Sequence, residues 1–99
     1  MDYMVDYSKV IMLGTIDSDI VLHKTKDGIF VANFTVAIRT KQHTHQYDVA
    51  VFGDIGEQVA KELDKGCRVL LEGHLSTNTD GQIKILAVKV FPMELPFEI

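Results

Sequence analysis

The side chains best able to bind a metal or attack a substrate are four histidines and one cysteine, and their spacing argues against both uses. His43 and His45 share one loop, while His23, His74 and Cys67 are dispersed, without the C-x-x-C or H-x-x-x-H spacing that gathers zinc ligands. No metal and no other cofactor is expected. Nucleophile elbow, phosphate loop and paired-carboxylate signature are all missing, and Cys67, after Gly66 at a strand start, reads as a small hydrophobe. The chain is therefore expected not to be an enzyme. What its residues can do is present a surface. From Phe30 to Ile38 the even positions are Phe30, Ala32, Phe34, Val36 and Ile38, with Asn33, Thr35 and Arg39 among the odd ones. A second run, Gln46 to Phe52, alternates in the same way. If Tyr47, Val49 and Val51 enter the core, the other face carries Gln46, Asp48, Ala50 and Phe52: polar groups around one aromatic ring, a surface for touching something flat and polar.

Alternation of period two means strands with one buried and one wet face. The two runs, joined by the polar loop 40–45 and closed by Gly53, read as one long antiparallel hairpin. Before it, Ser8 to Ile16 is an apolar, β-branched strand, with Gly14 marking a bulge or bend. Asp17-Ser18-Asp19 is a turn, Ile20 to Lys24 a short continuation, and Lys26-Asp27-Gly28 a tight turn into the hairpin. After Gly53 the period changes. Ile55, Val59 and Leu63 are spaced by four, Asp54 stands at the N-cap position with Glu57 three residues on, and Lys65-Gly66 supplies the stop. Val69 to Leu75 makes a fourth strand, Asn78-Thr79-Asp80-Gly81 a turn, and Gln82 to Phe91 a fifth. Pro92 and Pro96 then hold residues 92–99 as a short extended tail.

The expected fold is thus all-β: a five-stranded antiparallel barrel with one helix between strands 3 and 4. That connectivity is the OB-fold, whose second and third strands bind oligonucleotides or oligosaccharides. With 99 residues, 46% of them hydrophobic, the chain reads as one domain, 1–99, with its core at about 8–91. No apolar run nears the length of a membrane span and the N-terminus lacks signal-peptide order, so no membrane partner and a cytoplasmic location are expected. A single cysteine agrees with a reducing compartment. The net charge of −4 excludes a strongly basic protein. Four of the 14 acids lie in the terminal segments, however, which leaves ten acids and ten bases between Ser8 and Phe91 and allows a basic stripe on a neutral body.

Four segments in one order resemble the bacterial single-stranded DNA-binding proteins. Ser8 to Gly14 is similar to the opening N-K-V-x-L-x-G, and Gly28 to Ala37 to G-x-x-V-A-N-F-x-[LV]-A. Val51-Phe52-Gly53 with Val59-Ala60, Leu63 and Lys65-Gly66 resembles V-x-F-G…V-A-x-x-L-x-K-G, and Val69 to Leu75 resembles V-x-[VI]-E-G-x-L. The resemblance implies an OB-fold that binds single-stranded DNA without strong sequence preference, in replication, recombination or repair. It implies a homotetramer, with a dimer as the alternative because Tyr47 stands where family subunits often meet. Gln46 and Tyr47 replace the family's usual Trp-His, Asp48 replaces a frequent basic residue, there is no tryptophan, and the loops 40–45 and 77–81 are short. Lower affinity and a smaller binding site are expected. Glu94-Leu95-Pro96-Phe97 resembles the family's terminal D-x-P-F, which recruits replication or recombination proteins, but Glu98 and Ile99 follow it here.

On this resemblance Phe52 is expected to stack on bases; the plain alternative is a ring tucked under the helix. Asn33, Thr35, Arg39 and Gln46 are candidates for contacts along the strand of DNA, against an ordinary solvated sheet face. Lys24, Lys26, Lys41 and Lys84 are candidates for phosphate contacts, against lysines that only solubilise. The rival function is an OB-fold adaptor in a primosome-like or recombination complex, with weak or no DNA binding.

Overall fold

The apolar positions of the central hairpin face inward because a barrel needs one covered surface, and the rest of the chain supplies it. The computed structural model describes residues 7–93. In chain order its elements are β1 (Val10–Ile16), β2 (Val21–Lys24), β3 (Phe30–Arg39), β4 (Thr44–Phe52), α1 (Gly53–Glu62), β5 (Arg68–Thr77) and β6 (Ile83–Pro92). The strands lie in the order β1-β5-β6-β4-β3-β2, and pairing of Thr15 with Ala37 and Ile16 with Val36 joins β1 to β3. Five strands thereby close an OB-fold barrel, with β2 attached to the outer edge of β3. The helix follows the fourth strand rather than the third, because Val21–Lys24 bonds to β3 as a strand of its own instead of continuing β1. One seam is parallel: Val49, Ala50 and Val51 of β4 lie beside Ile85, Leu86 and Ala87 of β6.

Ile16, Val36, Val49, Val51, Val69, Leu71 and Ile85 are fully buried, and α1 adds Val59 and Leu63 to the same cluster. Each such side chain contributes about 1.5–3 kcal/mol by leaving water. Most are β-branched, which suits the pleated strand. Gly14 sits where β1 passes from β5 to β3. A methyl group there would lie 2.6 Å from the Ala37 carbonyl oxygen and 2.7 Å from the side chains of Ile38 and Val36. Close approach of strands, rather than a left-handed backbone, requires this glycine. The predicted turn 17–19 has a second duty: Asp17 N donates to Thr35 O and Thr35 N to Ser18 Oγ, both at 2.8 Å, tying the corner after β1 to β3.

The helix starts two residues earlier than the spacing suggests. Phe52 is its N-cap, with no side-chain cap bond, and Asp54 lies in the first turn. The chain leaves β4 directly through Gly53, at φ 80°, so no residue is left over to act as a separate cap. Asp54 still favours the positive end of the helix. The helix ends at the extended Leu63, whose N–H bonds Val59 O, and Gly66 serves the following turn at φ 99°. Cys67 is half-buried against the core. Among the described residues no helix is long and apolar enough to cross a membrane, and no group of three or more His, Cys, Asp or Glu could hold a metal ion. The tail beyond Met93, with Glu94 to Phe97, lies outside the described residues.

Candidate nucleic-acid interface

The register of the hairpin decides which side chains share its outer face. Val31 lies opposite Phe52, Asn33 opposite Ala50, Thr35 opposite Asp48, Ala37 opposite Gln46, and Arg39 opposite Thr44. On the flanks, His23 of β2 lies beside Val31, and Leu86 of β6 beside Ala50. This face is not uniformly wet, as alternation alone suggested. Val31, Ala37 and Ala50 are buried, because the neighbouring strands and their longer side chains rise above these small residues. They form a floor. The Phe52 ring stands above it, 49% exposed and on the outer face rather than beneath α1.

A groove of about 250 Å³ runs over this floor, lined by His23, Val31, Asn33, Phe52, Lys84 and Leu86. It adjoins a second groove in which Asn33 and Lys84 meet Thr35, Asp48 and Asp19. Lys84 reaches in from β6: its Nζ donates to Asn33 Oδ1 at 3.0 Å. Asn33 Nδ2 lies 3.4 Å from His23 Nδ1. Phe52, Asn33, Thr35 and Lys84 are therefore brought together.

Arg39 and Gln46 stand at the other end of the hairpin, where they share one partner. The guanidinium of Arg39 is 4.0 Å from Asp17 Oδ1, and Gln46 Nε2 donates to Asp17 Oδ2. Asp17 partly neutralises Arg39. The remaining lysines do not converge: Lys24 lies over the Phe30 ring at 4.8 Å, Lys26 is in the turn after β2, and Lys41 is exposed in the loop after β3. Tyr47 has inward parity opposite Val36, yet it is 40% exposed in the half of the hairpin nearer its loop. Within one chain it is only partly covered by the described residues. Sequence reasoning missed His23, Asp17 and Asp19 as members of this surface. Only the pairing of β2 with β3 and the corner at Ser18 bring them there.

Comparison with known proteins agrees with this architecture. A model of the single-strand binding protein family matches residues 7–84. The wild-type single-stranded DNA binding protein from Thermus aquaticus is similar at 26% identity and a TM-score of 0.82, over 94% of this chain and 44% of that one. A deletion variant of the same protein has 24% identity and a TM-score of 0.84, over 93% and 43%. The SSB domain of a protein from Synechococcus sp. has 19% identity and a TM-score of 0.77, over 89% and 98%. The chain thus spans less than half the length of the Thermus aquaticus chains it matches. With a family model spanning most of its length and a closed barrel of the matching fold, the chain belongs to the single-strand binding protein family.

Proposed function

We propose that this chain binds single-stranded DNA without strong sequence preference, along the outer face of β3, β4 and β6. The observation that carries the reading is the groove in which an exposed ring, Phe52, stands beside the polar Asn33 and the ammonium of Lys84. Every base has a face that can stack on a ring, and each stacked base contributes about 1–3 kcal/mol. Asn33, Thr35 and Gln46 supply hydrogen bonds along the strand. Lys84, Arg39, Lys24, Lys26 and Lys41 supply charge to phosphates, and the acids Asp17, Asp19 and Asp48 on the same face reduce it. Binding is then salt-dependent but shallowly so, since the slope follows the number of phosphates neutralised. Replication, recombination and repair are the settings in which such strands occur.

Oligomerisation follows from β1. Its pairing with β3 is confined to Thr15 and Ile16, so residues 10–14 have β5 on one side and no described strand on the other. Outward from the same sheet point Ile11 (65% exposed), Leu13 (47%) and Phe91 (50%). Edge pairing of two copies yields a dimer and stacking of two dimers a homotetramer. The acids on the DNA-facing surface favour, as a second reading, a protein adaptor that recruits replication or recombination proteins.

Titration of fluorescent oligo(dT) of several lengths at low and moderate salt, with mass from light scattering, tests both. Saturable, salt-sensitive binding at a defined length is the expected result. A folded protein that ignores every length at low salt sinks the single-strand reading. Capture of a protein partner that survives Phe52→Ala and Arg39→Ala would then favour the adaptor.

A further inference from the structure

The amide of Asn33 is held from both sides, and its surroundings decide which way it points. An ammonium group has three N–H donors and no acceptor. Lys84, 3.0 Å away, can therefore face only the amide oxygen, which turns Nδ2 toward β2 and His23. One N–H of Nδ2 is taken up on the His23 side and the other is left to the groove. Lys84 likewise spends one N–H on Asn33 and keeps two. The carboxylate of Asp48 lines the adjoining groove but makes no ion pair with Lys84 among the described residues. Lys84 is also the one lysine among the described residues that is partly buried. Its N–H groups are thus held at the groove rather than swinging in solvent. Beside the Phe52 ring, the groove floor offers donors from two side chains.

We propose that Asn33 and one of the two remaining N–H groups of Lys84 read one base by its edge, the ammonium charge still serving a phosphate of the same strand, and that they favour a base with carbonyl acceptors, thymine or uracil, over adenine. This rests on the single-strand reading above and assigns the slot its preference. Thymine carries an exocyclic carbonyl, O4, that accepts from such donors, with its own N3–H beside it. Adenine carries its 6-amino group at the corresponding exocyclic position and there sets N–H against N–H. Phe52 holds the ring face without regard to base, so discrimination comes from the edge alone. The preference is modest, one slot's worth, and is compatible with coating mixed sequence.

The test compares oligo(dT) and oligo(dA) of equal length on wild type, Asn33→Asp and Lys84→Met. Self-stacking of adenine weakens oligo(dA) binding to every variant alike, so the informative quantity is the change in the dA-to-dT Kd ratio. Asn33→Asp exchanges the Nδ2 donor for an acceptor that pairs with Lys84, and the ratio should fall about fivefold or more. Lys84→Met frees the amide to turn over and should lower the ratio independently, which keeps the test decisive if one variant fails to fold. Thermal melts identify the folded variants. Wild type that binds both oligomers while folded variants keep its ratio within about twofold overturns the edge reading alone. Wild type that binds neither at low salt overturns the single-strand reading and the slot together.

Discussion

Lys9 Nζ lies 2.7 Å from Glu72 Oε1, joining the residue before β1 to the strand beside it, and Lys89 of β6 reaches the other carboxylate oxygen at 3.5 Å. The hydrogen bond to Lys9 holds the Glu72 carboxyl below its ordinary value, against a smaller opposing effect of desolvation. The same bond raises the Lys9 ammonium. For Glu72, the stabilisation is complete above the unfolded carboxylate range and is lost as pH falls through the lowered folded value. For Lys9 it is complete below the unfolded lysine range and is lost as pH rises through the raised folded value. The three-strand clasp therefore holds across neutral pH. Urea midpoints of wild type minus Glu72→Gln should form a small positive plateau there that shrinks at the acid end. A difference independent of pH contradicts the assignment.

Phe52→Ala separates binding from folding. Half of the ring is in solvent, so the urea midpoint should move little, whereas oligo(dT) affinity should fall by about 1–3 kcal/mol for each base that leaves its platform. A large loss of stability with unchanged affinity would make the ring a packing element.

Lys84 and Lys89 share β6 but differ in surroundings, one in the groove and one on the Glu72 clasp. Lys84→Ala should weaken oligo(dT) binding and flatten the log–log salt slope by about 0.7 for each phosphate that it no longer neutralises. Lys89→Ala should leave the slope alone. Equal effects would mean that only net charge matters.

Gly14→Ala drives a methyl group toward the Ala37 carbonyl at the seam that closes the barrel. Denaturant unfolding should show a loss of at least about 2 kcal/mol, because backbone must move on one strand or the other. A neutral outcome would show that β1 and β3 separate there at little cost.

Ile11 is the most exposed large side chain of β1. Ile11→Lys should leave the thermal melt of the chain nearly unchanged at high dilution and shift its mass by light scattering toward the monomer. An oligomer that survives this change uses another face.

The alternation from Phe30 to Ile38 and from Tyr47 to Val51 was enough to identify the hairpin, because a strand with one covered face must repeat with period two. The four-spaced Ile55, Val59 and Leu63 likewise identified the helix. Phe52 could be assigned to the outer face by parity alone. Such patterns are local, written within about ten residues. The cap at Phe52 has no such signature, because the strand runs into the helix through Gly53 and leaves no separate capping position. The exposure of Tyr47 has none either, because parity says which face a residue takes, not whether anything lies over it.

Linear order also conceals the meeting of distant segments. Lys84 meets Asn33 across 51 positions because β6 lies parallel to β4, and Asp17 meets Gln46 across 29 because the end of β1 is tied to β3. Closure of the barrel buries Val31 and Ala50 on a face that alternation assigns to water. The sequence by itself determined the long strands, the helix and the ring that faces outward, since local sterics and hydrophobic period act on neighbours in the chain, whereas β2 became a separate strand only by pairing with β3. Tertiary structure alone decided which cations reach the groove and which are neutralised. Coulomb attraction and hydrogen bonds depend on distance in space, which closure of the barrel sets.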